Sequence, residues 1–138
     1  MANTEDMERV DKFLVNFAEE KRYCLEQLNG QRIFGPPVDE PSINLDYRYE
    51  VYIWNLPKDC YEDELLPLFW EIRDLYTFRF MLDFCGLGRG FAFAKYKTLQ
   101  AAKRAHFIYD KFQIRHNQQI RVNKCRNYSR VSIGKFFN

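Results

Sequence analysis

The stretch Arg89-Gly90-Phe91-Ala92-Phe93-Ala94-Lys95-Tyr96 constrains the fold of this chain more than any other. Successive side chains of a strand point to opposite faces, so Ala92, Ala94 and Tyr96 share one face and Phe91 and Phe93 the other. Small residues suit a face pressed by helices, and the rings are left on the opposite one. Val51-Tyr52-Ile53-Trp54-Asn55-Leu56 repeats the arrangement, with Val51 and Ile53 turned one way and Tyr52 and Trp54 the other. The chain must therefore build a sheet that is covered on one side only.

The rest of residues 49–126 supplies the cover. Tyr49 to Asn55 predicts a strand, Glu62 to Arg73 a helix with Leu65, Leu68, Phe69 and Ile72 on one face, and Leu75 to Leu82 a second strand. Arg89 to Tyr96 follows as a third strand, Thr98 to Asp110 as a helix capped by Thr98, and Gln119 to Lys124 as a fourth strand. Pro67 removes one backbone donor, which predicts an irregular first turn in its helix. The order βαββαβ is an α+β, ferredoxin-like unit in which two helices cover one face of a four-stranded antiparallel sheet.

Residues 1–37 read as a helix and hairpin ahead of that unit, with an apolar stripe that must pack on something. Thr4 to Glu20 predicts a helix capped by Thr4, with Glu5, Asp6 and Glu8 where the helix dipole favours negative charge and Met7, Val10, Phe13, Leu14 and Phe17 as its apolar stripe. Asn29-Gly30 between Arg22–Leu28 and Gln31–Phe34 predicts a hairpin, because both central residues of a type I′ turn need positive φ. Gly35-Pro36-Pro37 is expected to end it. Residues 38–48, with Pro41, read as an extended linker, and residues 127–138 as a tail that resembles the start of a further domain.

Composition narrows the function. The 138 residues are 46% hydrophobic and 29% charged, enough for one ordinary core without staples. Cys24, Cys60, Cys85 and Cys125 are widely spaced and the N-terminus shows no apolar leader, which predicts reduced thiols in an intracellular protein, cytoplasmic with a nuclear share. No apolar run approaches the roughly 20 residues of a membrane span. The scattered cysteines and two histidines lack metal-ligand spacing, no nucleophile-and-base arrangement stands out, and no cofactor is expected. Gly86-Leu-Gly-Arg-Gly90 does not read as a phosphate cradle, because an aromatic strand follows it rather than a helix. Half-buried packing is the expectation for His106.

Two features point toward nucleic acid. Aromatic residues make up 17% of the chain, more than such a core needs. The net charge of +2 also hides an asymmetry: residues 1–50 hold 6 basic and 11 acidic side chains, residues 51–138 hold 15 and 8. Rings on an open sheet face can stack unpaired bases of single-stranded RNA, each stack worth about 1–3 kcal/mol. Tyr52, Phe91 and Phe93 are the expected stacking rings, with Trp54 either a further stacking position or a contact for the extension or a partner. Arg89 is placed to contact phosphate, and Arg79, Arg121, Lys124 and Arg126 are expected to surround the platform with positive charge.

The octamer at Arg89 fits the RNA-recognition-motif signature and the hexamer at Val51 its companion. Asn29-Gly-Gln-Arg-Ile-Phe-Gly-Pro-Pro37, Tyr61-Glu-Asp-Glu-Leu-Leu-Pro-Leu-Phe69, Phe78-Arg-Phe-Met-Leu-Asp-Phe84 and Gly86-Leu-Gly-Arg-Gly-Phe-Ala-Phe93 resemble more narrowly the first, extended RNA-recognition motif of one family. That family holds heterogeneous nuclear ribonucleoproteins Q and R, the apobec complementation factor and Dead end. The resemblance covers about residues 20 to 138. It implies that the helix and hairpin of residues 1–37 pack on the motif as one extended domain, which binds messenger RNA, often in the untranslated region after the coding sequence, with effects on translation, decay or editing. This chain departs from the family at Trp54, where a small residue is usual, at Gly35-Pro36-Pro37 and the linker after it, and at Ser132 in the tail. Those departures are similar to a divergent germline member.

The expected activity is non-enzymatic binding of single-stranded messenger RNA in post-transcriptional regulation, by a chain monomeric on its own with protein partners in a regulatory ribonucleoprotein. The rival expectation is an RNA-recognition fold used mainly for protein interaction in a translational repressor complex. It rests on the acidic amphipathic first helix and on the surplus rings Trp54, Trp70 and Tyr109.

Overall fold

A computed structural model describes residues 4–28 and 30–126 of the chain. The expectations for Asn29 and for the tail at 127–138 lie outside the described residues.

The first helix, α1, runs Thr4–Lys21 and buries Val10, Leu14 and Ala18. Burying a Val or Leu side chain contributes about 1.5–3 kcal/mol, which holds the helix down. Thr4 lies within the helix rather than capping it. Two strands follow, β1 (Tyr23–Leu28) and β2 (Gln31–Pro37), antiparallel with Leu28 opposite Gln31. Gly30 at φ +80° carries part of the reversal. Contrary to expectation, Gly35-Pro36-Pro37 does not end the hairpin. β2 continues through both prolines, because its pairing with the next sheet strand stops at Phe34 and no donor is asked of them on that side.

A 3₁₀ turn at Tyr47–Tyr49, capped by the Asp46 carboxylate, leads into β3 (Glu50–Trp54). Then come α2 (Glu62–Trp70), β4 (Leu75–Leu82), β5 (Gly88–Tyr96) and α3 (Leu99–Tyr109), the last capped by Thr98 Oγ1 accepting from Ala101 N at 3.1 Å. α2 is shorter than expected and its first turn is regular, with Tyr61 O accepting from Glu64 N and Leu65 N. Three short strands close the described chain: β6 (Gln113–Arg115), β7 (Gln118–Gln119) and β8 (Arg121–Lys124).

The main sheet has six strands in the order β1-β2-β4-β5-β3-β8. Four of them, β4-β5-β3-β8, are the expected ferredoxin-like sheet. The hairpin adds two more, because β2 pairs with β4 from Gln31↔Met81 to Phe34↔Phe78. The hairpin strands β1 and β2 thus share the sheet, while α1 packs on it.

One core lies between the sheet and the helices, where Ile53, Leu65, Phe69, Phe78, Ala92, Ala94 and Tyr96 are all inaccessible to solvent. Tyr96 Oη donates to Phe69 O at 2.7 Å and Tyr109 Oη to Leu68 O at 2.5 Å. The extension is tied in by rings: Phe17 lies 5.5 Å from Phe34 and 5.6 Å from Trp70, and Tyr23 lies 5.1 Å from Trp70. A buried ion pair adds to this, with Arg32 of β2 donating from Nε and Nη2 to both carboxylate oxygens of Glu62 at 2.7 and 2.6 Å. Burial opposes the Arg32 charge, but the Glu62 bonds more than offset it and hold the guanidinium above its ordinary pKa.

Candidate nucleic-acid interface

The face of the sheet away from the helices is built by strand register. Tyr52 of β3 stands opposite Phe93 of β5, and Ile53 opposite Ala92, so the rings leave one side and the aliphatic residues the other. Tyr52, Phe91 and Phe93 are all half-buried and mutually packed. Ring centroids lie 5.8 Å apart for Tyr52 and Phe91, 5.3 Å for Tyr52 and Phe93, and 6.1 Å for Phe91 and Phe93. Edge-to-face neighbours hold each ring upright. A depression of about 970 Å³ opens over them, bordered also by Trp54 and Asn123.

Local backbone sets the end of this platform. Gly90 sits at φ +89° inside an irregular stretch of the β4–β5 ladder, where Leu82 faces Gly88 and Phe80 faces Ala92. The extra residues on β5 form a bulge that turns Arg89 and Phe91 toward the open face. Arg89 is exposed, its guanidinium 4.8 Å from the Phe91 centroid, and it makes no ion pair among the described residues.

The other expected cations divide by register. Arg79 of β4 faces the platform but is engaged: it lies 4.6 Å over Phe93, donates from Nη2 to Glu50 Oε2 at 3.1 Å and from Nη1 to Gln31 Oε1 at 3.4 Å. Arg121 is opposite Trp54 and 5.5 Å over its ring, with Nε donating to Asp110 Oδ1 at 2.9 Å. Burial of Asp110 works against its charge, yet the Arg121 and Val122 bonds hold that carboxyl below the usual carboxylate range. Lys124 pairs with Val51 and so leaves the strand toward the helices. It lines the sheet-face depression together with Arg126, and also a groove beneath, with Tyr47, Leu99 and Lys103. Arg126 lies exposed just past β8.

Trp54 faces outward, as expected, and its Nε1 donates to Asn123 Oδ1. The other two surplus rings do not stay on the surface: Trp70 joins the Phe17, Tyr23 and Phe34 cluster, and Tyr109 is buried against Phe69. Two features escaped the sequence reading. Glu50, an acid, sits among the rings and holds Arg79. Phe84 is fully exposed at the tip of the β4–β5 turn, where Asp83 Oδ1 accepts from Cys85 N and Leu87 N, both at 2.9 Å. The Asp-x-x-Gly spacing at Asp83 to Gly86 is the signal that marks such a turn.

Comparison with known proteins places this geometry. Residues 51–120 match the RNA recognition motif. Over 121 residues the chain is 36% identical to RNA-binding protein 47 of Danio rerio, covering 88% of this chain and 20% of that protein. It is 39% identical to probable RNA-binding protein 46 of Danio rerio, covering 81% and 22%, and 40% identical to Dead end protein homolog 1 of Xenopus laevis, covering 73% and 28%. The chain thus spans between a fifth and about three tenths of the length of these relatives. Dead end is in the group that the sequence resembles. Among solved structures, the Sex-lethal RNA recognition domains 1 and 2 from Drosophila melanogaster align with a TM-score of 0.53 at 28% identity, covering 59% of this chain and 52% of that one. A Sxl-lethal protein/RNA complex aligns at 0.54 and 28% identity, covering 57% and 47%. An outward ring platform on a βαββαβ sheet, matched over these residues, makes the chain a member of the RNA recognition motif family.

Proposed function

We propose that this chain binds single-stranded RNA by stacking bases on Tyr52, Phe91 and Phe93. The observation that carries the reading is three mutually braced rings on a sheet face that none of the described helices covers. Apolar rings in water gain from being covered, and unpaired bases are flat, apolar on their faces and charged only at the backbone. Arg89, Arg126 and Lys95 at the margins supply the phosphate contacts, while Arg79 and Arg121 already have carboxylate partners. The target class is messenger RNA in its untranslated region, the outcome is control of translation or decay, and the place of action is the cytoplasm with a nuclear share. The chemistry is binding, without catalysis.

Titration of a short single-stranded RNA at several salt concentrations tests this reading. Binding should weaken with added salt, log K falling by about 0.7 per phosphate contacted for each tenfold rise. Salt-independent binding, or none, is the contrary result.

One observation favours a second reading, protein docking on the helical side. Phe107 and Ile108 of α3 are exposed at 77% and 46%, beside the exposed cations Lys103 and Arg104. That face is opposite the platform, so the two uses are compatible.

A further inference from the structure

Stacking on Tyr52, Phe91 and Phe93 is tolerant of sequence, so selectivity must come from edge contacts elsewhere. At the end of β3 a groove of about 490 Å³ is lined by Trp54, Asn55, Gln113, Asn117, Gln118, Gln119 and Arg121. The volume lies within the roughly 300–1,000 Å³ that small-ligand sites occupy. Its lining is five amide side chains, one indole and one guanidinium.

The groove is built rather than incidental. Asn55 Nδ2 donates to Gln119 O at 2.9 Å and Gln118 Nε2 donates to Asn55 O at 3.0 Å, a reciprocal clamp that fastens the β6–β7 hairpin to the end of β3. Asn55 and Asn117 both take left-handed backbone, at φ +59° and +67°, which an Asn tolerates and most residues do not. With Asn55 and Gln118 consumed in the clamp, the amides of Gln113, Asn117 and Gln119 have no hydrogen-bond partner among the described residues. Arg121 has its Nε on Asp110, so its charge is balanced and the groove does not select a phosphate.

We infer that this groove is a base-reading subsite, in which one nucleobase rests against Trp54 and Arg121 and its edge is hydrogen-bonded by Gln113, Asn117 and Gln119. The inference rests on the RNA-binding reading above and gives it a place where sequence is discriminated. An amide offers a donor and an acceptor side by side, the pattern that a base edge matches two bonds at a time. The subsite adjoins the platform through Trp54, which borders both the groove and the ring-lined depression. A strand of RNA crossing Phe91 and Tyr52 therefore reaches the groove with its next base.

The test is selection of binders from a pool of short random-sequence single-stranded RNAs by the wild-type chain and by the triple variant Gln113→Ala, Asn117→Gly, Gln119→Ala. Glycine at 117 keeps the left-handed backbone. Wild type should select a defined base at one position, and the variant should lose that preference. The affinity ratio between the selected RNA and its single-base mismatch should fall by about 5- to 150-fold. Because no charge is removed, the salt slope should not change. An unchanged consensus in the variant overturns the subsite and leaves RNA binding standing. No RNA retained by the wild type overturns the RNA reading itself. A direct measurement on the wild type serves if the variant misfolds: RNA should quench the Trp54 emission, identified by its loss in Trp54→Phe, and unaltered emission overturns the subsite.

Discussion

Glu50 is the residue whose role on the open face differs most from its neighbours'. It brings a negative charge to the surface proposed to hold RNA, and it fastens Arg79 across Phe93. Replacing Glu50 by Gln should therefore tighten RNA binding by several-fold and steepen the salt slope by the equivalent of about one phosphate contact, since Arg79 is released to a phosphate. Titrations at two salt concentrations check both. Thiol chemistry offers a second residue-level check. Burial pushes the Cys60 and Cys125 thiols up to about 12, whereas Cys24 and Cys85 are exposed. Mild alkylation of the folded chain near pH 8 should label Cys24 and Cys85 and spare the other two, because the thiolate is the nucleophile. At this scale the sequence was partly legible. Period-two alternation shows which way Tyr52, Phe91 and Phe93 point, but not that Arg79 meets Glu50. That contact depends on strand neighbours far apart in the chain.

Among the elements, β2 bears the largest structural burden, joining the hairpin to β4 and carrying Arg32 to Glu62. Both partners are nearly inaccessible, at 6% and 1% exposure. Removing one leaves the other charged, buried and unpaired, at a cost of about 3–5 kcal/mol. Glu62→Leu alone should show that loss in chemical denaturation, and the double variant with Arg32→Met should recover much of it. Gly35 on the same strand stands at φ +103°, and a Cβ there would lie 2.2 Å from Tyr76 O. The main elements could be read from hydrophobic period, caps and the Asn-Gly dipeptide. The continuation of β2 through Pro36 and Pro37 could not, because it depends on which neighbour each backbone faces. The β6–β7 hairpin was equally hidden, since its strands Gln113–Arg115 and Gln118–Gln119 are too short and polar to show an apolar alternation.

The whole molecule is organised so that extension and ferredoxin-like unit share one sheet and one ring cluster. Phe17, Tyr23, Phe34 and Trp70 meet across that boundary. Deleting residues 1–37 should lower the unfolding midpoint and leave the β4 edge and Trp70 bare, with self-association in sedimentation as the visible consequence. The intact chain should unfold in a single transition by all probes. The resemblance to extended motifs implies an extension packed on the unit, whereas the six-stranded order comes only from the pairing of β2 with β4. The aromatic surplus divides accordingly between core, extension cluster and platform, with Phe84 and Phe107 exposed apart from these. Affinity of the full chain for one selected single-stranded RNA, measured beside Phe91→Ala, Phe93→Ala and Tyr52→Ala variants of unchanged fold, tests that division most directly. Stacking predicts losses of about 1–3 kcal/mol for each ring removed; equal affinity in all four proteins would contradict it.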